Sequence, residues 1–283
     1  MNNGNFIRII YSTSLFVLNG IYININLNYT SVDKYYNKYK CSFDIFQYKE
    51  LIEKLRIIEE GLIKKNKAAL EAVKPQLEAS DHPIIRNDEV CFESSFKAIQ
   101  LAKKFDARLH ILHISTAKEL QLFSNLRELV DKKITAEVCV HHLHFTSNDY
   151  AQLGNLIKCN PAIKAPDNKN ALWEALLNNQ LDVIATDHAP HTWSEKNEPY
   201  AQAHAGLPLI QHGRRLMGKY VEEGKWTMEK MVEKMSHAVA TCFQIKDRGF
   251  IREGYHADLV LLKKAPYTVN KENIVYQCGG SPF

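Results

Sequence analysis

The spacing of apolar residues changes along the chain from a helical period to short continuous runs. Apolar residues recur every three or four positions from about Lys49 until Pro75, which predicts a helix. The same spacing predicts a second helix over about 88–105. Three short, nearly continuous apolar runs follow, and each is typical of a buried strand: 108–115, 134–141 and 181–186.

Helical patterns alternate with these runs and indicate the architecture. They cover about 117–130, 168–179 and 227–241. Apolar strands that alternate with helices predict an α/β protein with a parallel sheet covered on both faces. The apolar run at 257–262 follows the last helix, so we expect it to be a strand of a different sheet. Three parallel strands cannot close into a barrel, and their edge is exposed unless the N-terminal segment or another chain covers it.

The first fifty residues differ in composition from the rest of the chain. They contain 8 Asn, 7 Tyr and 7 Ile but no Ala, Pro, His or Trp, whereas all twelve His lie beyond residue 81. The apolar run at 9–18 contains polar residues, is too short to span a bilayer and precedes no small-residue cleavage site. We therefore predict no export signal there and treat residues 1–50 as an atypical segment.

Overall composition and charge exclude several functional classes. The 283 residues are 45% apolar and 24% charged, which is typical of globular proteins and not of disordered or multi-span membrane chains. Lys and Arg total 36 against 32 Asp and Glu, and a net charge of +4 is too small to favour a nucleic-acid or membrane partner. The six cysteines are widely spaced without a CxxC pair, so we expect reduced thiols and a cytoplasmic location.

Each of the three predicted strands ends in side chains that bind metals. His113 ends the first, Glu137 with His141, His142 and His144 ends the second, and Asp187 with His188 and His191 ends the third. The carboxyl ends of parallel strands are where α/β proteins build their sites. Imidazole and carboxylate together suit zinc, which turns a bound water into hydroxide near neutral pH, and a neighbouring carboxylate can carry the water's proton.

Simpler interpretations exist for each residue taken alone. His110 and His113 are three positions apart in a strand, so they point to opposite sides and either could be a core histidine bonded to the backbone. The neighbours His141 and His142 are expected to diverge for the same reason, and Asp187 could cap a helix. The three strand ends together nevertheless favour a metal site.

Five blocks of the sequence resemble class I dihydroorotases, which belong to the metal-dependent amidohydrolase superfamily. The blocks are LHILHISTAKEL (109–120), ITAEVCVHHLHF (134–145), LIKCNPAIK (156–164), VIATDHAPHTWSEK (183–196) and RGFIREGYHADLVLL (248–262). A sixth stretch, DHPIIRNDEVC (81–91), resembles the same enzymes. The resemblance covers about residues 58–283 in unbroken order, and the motifs DHAPHT and LHxxHxST are its most specific parts.

The resemblance implies a fold and a reaction. The family fold is a TIM (β/α)8 barrel with a small β-sandwich, of which this chain would supply the C-terminal part, about strands 6–8 with their helices, and a remnant of the sandwich. The implied domains are an atypical segment over 1–50, a partial barrel over 51–250 and the truncated start of the sandwich segment over 251–283. The reaction is the hydrolysis of dihydroorotate to N-carbamoyl-aspartate in pyrimidine biosynthesis.

The resemblance also implies roles for particular residues. His113 would be a ligand of a binuclear Zn²⁺ site, and Asp187 would be both a metal ligand and the proton-carrying catalytic base. Asn160 and His191 would hold the substrate, and Glu137 would join an additional metal, as in some relatives. Of the six usual metal ligands only His113 and Asp187 have counterparts, since the family's HxH pair, its bridging lysine and a further ligand histidine are missing. We therefore expect activity to be impaired or absent in this chain alone.

Three alternatives remain open at this point. The chain could be a non-catalytic partner of a complete dihydroorotase or of aspartate transcarbamoylase, or it could form a homo-oligomer. It could be a truncated gene product without a selected function. If it is an enzyme, allantoinase and hydantoinase share the barrel and the cyclic-amide chemistry, although DHAPHT and the Asn160-Pro161 pair favour dihydroorotase.

Overall fold

Four parallel strands form the sheet of the computed structural model, which describes residues 6–9 (backbone only), 59–263 and 265–283. The strands lie side by side in chain order: β1 (Phe6–Ile9), β2 (Arg108–Ile111), β3 (Ile134–Cys139) and β4 (Val183–Ala185). Parallel neighbours need crossover connections, and helices supply them here, as in a barrel wall. The three predicted strands are confirmed, each shorter than its apolar run.

The N-terminal segment covers the open edge of β2. β1 pairs with β2 in parallel, with Phe6 opposite Arg108 and Ile9 opposite Ile111. Either the N-terminal segment or another chain could have protected this edge, and the N-terminal segment of the same chain does so. On the other side of β2, Leu109 lies opposite Ile134, and β3 in turn places Glu137 opposite Val183.

Helices flank the sheet. In chain order they are α1 (59–71 in its described part), α2 (His82–Ile85), α3 (Asp88–Lys104), α4 (Ala117–Leu120), α5 (Tyr150–Leu153), α6 (Pro166–Leu177), α7 (Trp193–Lys196), α8 (Ile210–Glu222), α9 (Met228–Val232) and α10 (Ala238–Cys242). A π-helical turn, Glu233–His237, joins α9 to α10. Residues 49–58 of the first predicted helix lie outside the described residues. The part of the chain that is described contains no helix long and apolar enough to cross a membrane.

The longest helix, α3, shows how the local sequence sets its ends. Asn87 accepts a hydrogen bond from the Val90 backbone at the N-terminus, where acidic residues follow, and Lys103 and Lys104 occupy the last turn. These charges oppose the helix dipole at both ends. The helix buries Ile99 against the same core as the strand residues Leu109, Ile111, Ala136 and Val138. Burial of the strands on both faces explains their nearly continuous apolar runs.

The helix predicted over 117–130 is wrong beyond its first turn. Only Ala117–Leu120 is α-helical, closed by the reciprocal hydrogen bonds of Thr116 and Glu119, and a short 3-10 helix follows at Leu129–Asp131. The apolar residues that suggested its continuation are exposed, with Leu126 at 90% and Val130 at 66%. The Ser124 hydroxyl accepts a hydrogen bond from the Leu126 backbone N–H, and this local bond competes with helix formation. A helix here would also have no core surface against which Leu126 and Val130 could pack.

The strand predicted at 257–262 is also wrong. These residues form no strand and have no sheet partner among the described residues. Leu259, Val260 and Leu261 are 64%, 70% and 98% exposed. An apolar run becomes a strand only when another strand satisfies its backbone groups and covers its side chains. Conversely, the sequence analysis assigned no helix to Ile210–Glu222, where α8 forms.

Candidate functional site

Two of the predicted site residues have an unusual backbone conformation directly after their strands. His113 follows β2 with φ = 41°, and Asp187 follows β4 with φ = 48°. Side chains with a Cβ rarely adopt this left-handed region, and such strain is found preferentially at functional sites. At the first bend the Ile114 backbone still donates to the Glu137 carbonyl, so the turn remains attached to β3. The bends that follow the strands, and not the strands themselves, therefore set the direction of these two side chains.

A small cleft brings together two of the predicted site residues, His113 and Asn160. Arg86, Glu59 and Glu119 also line it. Burial raises the pKa of Glu59 to about 7 despite the nearby Arg86 charge, and burial lowers the pKa of Arg86. The sequence analysis missed Arg86 although it lies in the block at 81–91. Its only sequence signal was a charged residue within an apolar stretch.

Asn160 is held in place by a buried histidine. His82 Nε2 donates to the Asn160 side-chain oxygen at 3.0 Å and to the Cys159 carbonyl at 2.9 Å, while its Nδ1 lies 2.8 Å from the Tyr200 hydroxyl. Burial lowers the pKa of His82 well below its ordinary value, so the ring is neutral and can accept the Tyr200 proton. The Asn160 oxygen is thereby occupied, and its NH₂ group is left to face a ligand.

Glu137 and Asp187 influence each other across the strand ends. Glu137 is buried and accepts from His110 Nε2 at 3.1 Å. Burial, and then the negative charge of Glu137, raise the pKa of the half-buried Asp187 to about 7. His110 also contacts the Thr135 hydroxyl and the Cys242 thiol, so its partners are side chains and not the backbone bonds that the simpler interpretation assumed.

His191 lies in a separate loop. Its Nε2 donates to the Ala205 carbonyl at 3.2 Å, and its ring centre is 4.8 Å from that of His204. Gly206 closes this loop with φ = 147°, and a Cβ there would lie 2.6 Å from the Ala189 carbonyl oxygen and 2.9 Å from His191 Nε2. Only glycine permits this close approach. The loop therefore fixes His191 without bringing it into the lining of the cleft.

The predicted metal ligands do not form a closed ligand set in the part of the chain that is described. Two groups of three donor atoms lie within 4.8 Å of one another there, namely Cys139–His141–His142 and His191–Glu195–His204. Neither contains His113, Glu137 or Asp187. A zinc ion with protein ligands needs at least three converging donors. The described residues therefore do not by themselves fit the binuclear site that the sequence resemblance implies.

The divergence expected for His141 and His142 is wrong. Their ring centres are 4.1 Å apart. The strand ends at Cys139, and the following residues form a helical turn in which the His142 and Leu143 backbones donate to the Cys139 carbonyl. In such a turn consecutive side chains fan out around one axis and do not alternate, so both rings reach the same interior space.

The sequence assigns the chain to one family, and the fold agrees with that assignment. The amidohydrolase family model matches residues 35–279, and the chain belongs to this family. The matched range begins inside the segment whose composition is atypical. The parallel α/β sheet and the solved relatives described below are those of TIM-barrel amidohydrolases, which confirms the predicted fold class.

Within the family, the curated relatives include dihydroorotases and an allantoinase, and the dihydroorotases have the higher sequence identity. The dihydroorotase of Carboxydothermus hydrogenoformans is 34% identical over 190 residues, which are 66% of this chain and 44% of that protein. The allantoinase of Salmonella gallinarum is 28% identical over 193 residues, covering 68% of this chain and 42% of that protein. The chain thus spans less than half the length of the curated relatives it matches.

Solved structures agree on the fold. A D-hydantoinase (dihydropyrimidinase) from Thermus sp. superimposes with a TM-score of 0.62 at 21% identity, over 70% of this chain and 44% of the other. The Saccharomyces cerevisiae dihydroorotase in complex with 5-fluoroorotic acid gives 0.50 at 22% identity, over 54% and 43%. At these sequence identities the structural comparison establishes the architecture alone. The amidohydrolase family is metal-dependent.

Proposed function

We propose that this chain carries the C-terminal half of a dihydroorotase-type site that hydrolyses dihydroorotate to N-carbamoyl-aspartate in pyrimidine biosynthesis. The cleft that joins His113 to Asn160 carries the proposal, because it places a strand-end ligand beside an amide group fixed by His82. The similarity to dihydroorotases over two thirds of the chain supports the same reaction class. The substrate, the reaction and the site residues are parts of this proposal.

The residues of this chain have distinct tasks in the proposal. Asn160 holds the cyclic amide, and Arg86 binds the carboxylate of the substrate from the wall of the cleft. His191, whose loop lies outside the lining of the cleft, is the second residue that we assign to the cyclic amide. Hydrolysis forms a bond between the water oxygen and the ring carbonyl carbon and breaks the ring C–N bond. Asp187 accepts the water proton and returns it to the departing nitrogen.

In this proposal the metal is Zn²⁺, and we assign it to His113, Asp187 and the additional ligand Glu137. The remaining ligands have to come from outside the described residues or from another chain, as in a homo-oligomer or a complex with a complete dihydroorotase or aspartate transcarbamoylase. We retain the three segments 1–50, 51–250 and 251–283, and a cytoplasmic location, as parts of the proposal. A non-catalytic role in such a complex is the second candidate, favoured by the missing ligand set.

Ring opening of dihydroorotate by the purified full chain, assayed with and without added Zn²⁺, tests the first proposal. We expect turnover far below that of a complete dihydroorotase, abolished by Asp187→Asn and reduced at least tenfold by Asn160→Ala. Arg86→Lys should raise KM for dihydroorotate more than it lowers kcat, because it removes carboxylate binding.

Preferential turnover of allantoin or a hydantoin would redirect the substrate assignment. The absence of any turnover from folded protein, with or without a dihydroorotase added, would overturn the catalytic proposal and leave the partner role. Association with that dihydroorotase, measured by sedimentation, tests the partner role separately.

A further inference from the structure

The end of β3 carries a cluster of three metal-binding side chains that the proposed hydrolytic site does not use. Cys139 is the last residue of the strand, and His141 and His142 lie in the turn that follows. One donor atom from each lies within 4.8 Å of the other two. All three side chains are buried, at 0%, 0% and 3% exposure.

The hydrogen bonds of His142 leave one nitrogen available for a metal. Its Nε2 donates to the Pro161 carbonyl at 3.1 Å, so the tautomer places the lone pair on Nδ1. Nδ1 is buried and makes no hydrogen bond to the described residues. In protein metal sites, a histidine that binds the metal through one ring nitrogen usually donates the N–H of its other ring nitrogen, often to a backbone carbonyl.

His141 points even more directly to a ligand. Both of its ring nitrogens are fully buried and neither has a hydrogen-bond partner among the described residues. A neutral imidazole carries one N–H and one lone pair, and leaving both without partners inside a protein costs several kcal/mol, roughly. A bound metal ion would satisfy the lone pair.

We propose that Cys139, His141 and His142 form a metal site that binds Zn²⁺, separate from the residues assigned to the hydrolytic site. One thiolate and two imidazoles are a donor set that zinc prefers, whereas hard cations such as Mg²⁺ and Ca²⁺ prefer oxygen ligands. Binding replaces the S–H bond of Cys139 by a bond from sulfur to zinc and releases the proton to solvent.

The site has a clear structural consequence. It connects the last residue of β3 to the turn whose next residues, Leu143 and Phe145, belong to the hydrophobic core. His142 extends this connection to Pro161 and hence to the Asn160 loop. A metal held there would stabilise the folded state in proportion to its occupancy, because the unfolded chain has no such preformed set.

Cobalt substitution of the purified full chain tests the proposal. Adding Co²⁺ to metal-free wild-type protein should produce one thiolate-to-cobalt charge-transfer band in the near ultraviolet per chain, and Zn²⁺ should displace it. Cys139→Ser should abolish the band and weaken Zn²⁺ binding roughly tenfold or more. Cys242→Ala is the matched control, because its thiol is the other buried sulfur in contact with a histidine, 3.4 Å from His110 Nδ1. This control should keep the band.

X-ray absorption of the zinc-loaded wild type keeps the test independent of how the variants fold. We expect one sulfur neighbour at about 2.3 Å and two nitrogen neighbours at about 2.0–2.1 Å. A shell of nitrogen and oxygen only, an unchanged band in Cys139→Ser, or no metal binding by the folded chain would overturn the proposal. None of these readouts depends on dihydroorotate turnover, so failure of the proposed enzyme would not be mistaken for failure of this site.

Discussion

At the scale of single residues, burial decides the chemistry of groups that the sequence presents as ordinary. Glu59 occurs in a helical pattern and would be assigned to a solvated face from sequence alone. It is buried, receives a hydrogen bond from the Ser94 hydroxyl, and burial raises its pKa to about 7. The charged form of Glu59 is therefore disfavoured in the folded state, although the positive charge of Arg86 lowers its pKa. The negative charges of Glu60 and Glu119 raise this pKa further.

Replacing this carboxyl should change how stability depends on pH. The pKa of Glu59 is higher in the folded chain than in the unfolded chain, where it is near 4.5. Its contribution is therefore fully present below about pH 4.5 and is lost as the pH rises to about 7. Glu59→Gln should remove this loss and make the variant more stable than wild type at pH 8, by up to about 3 kcal/mol.

Urea denaturation at pH 5 and pH 8 measures this difference. Glu71→Gln, in the same helix with an exposed side chain paired to Lys67, is the control and should track the wild type at both values. Equal stability of Glu59→Gln and wild type at pH 8 would show that the carboxyl is not buried as described.

At the scale of elements, backbone geometry explains the loops at the strand ends. Gly206 illustrates this, because its φ is 147° and a Cβ there would lie 2.6 Å from the Ala189 carbonyl oxygen, which leaves no room for a side chain. Gly218, in contrast, lies inside α8, where a Cβ would meet no atom within 4 Å.

Alanine at these two glycines should therefore have opposite effects. Gly206→Ala should destabilise the chain by about 2 kcal/mol or more and displace His191, since the clash is with backbone. Gly218→Ala should stabilise it by about 0.5–1 kcal/mol, because alanine is the better helix former. Thermal unfolding of the two variants beside wild type provides the measurement, and effects of the same sign would contradict the geometry described for the loop.

The edge of the sheet gives a second prediction at this scale. Deleting residues 1–9 removes β1 and exposes the backbone groups of β2 that it covers. We expect self-association to increase, because an unpaired edge strand is a template for intermolecular pairing. Deleting residues 1–4 keeps β1 and is the control. Light scattering at matched concentrations compares the two chains, and equal scattering would indicate that β1 does not protect this edge.

At the scale of the whole molecule, sequence and structure agree on the order of the strands and differ on what surrounds them. The apolar runs at 108–115, 134–141 and 181–186 predicted the three core strands, because a strand buried on both faces requires such a run wherever it lies. The predictions of a helix over 117–130 and of a strand at 257–262 were wrong, because a periodic apolar pattern does not by itself supply a surface to pack against. The family assignment, which covers residues 35–279, rests on residue patterns that survive these local differences.

The site was predicted in part, for a physical reason that can be named. Metal-binding residue types at strand ends are visible in the sequence because parallel strands end at one edge. Arg86 and His82 were not found, since their roles come from contacts with residues far along the chain, at Glu59 and Asn160. The divergence predicted for His141 and His142 was wrong, because the point where β3 gives way to a turn is set by packing.

The sequence alone determined the family, the parallel sheet and the identity of the strand-end residues His113, Glu137 and Asp187. The family follows from the resemblance of sequence blocks to dihydroorotases, whereas the sheet and its strand-end residues follow from the local composition and spacing of each strand. Only the tertiary structure decided that β1 closes the edge of β2, that His82 fixes Asn160, and that Cys139, His141 and His142 converge. Each of these is a contact between groups whose distance depends on how the chain folds back on itself, and no local pattern encodes that distance.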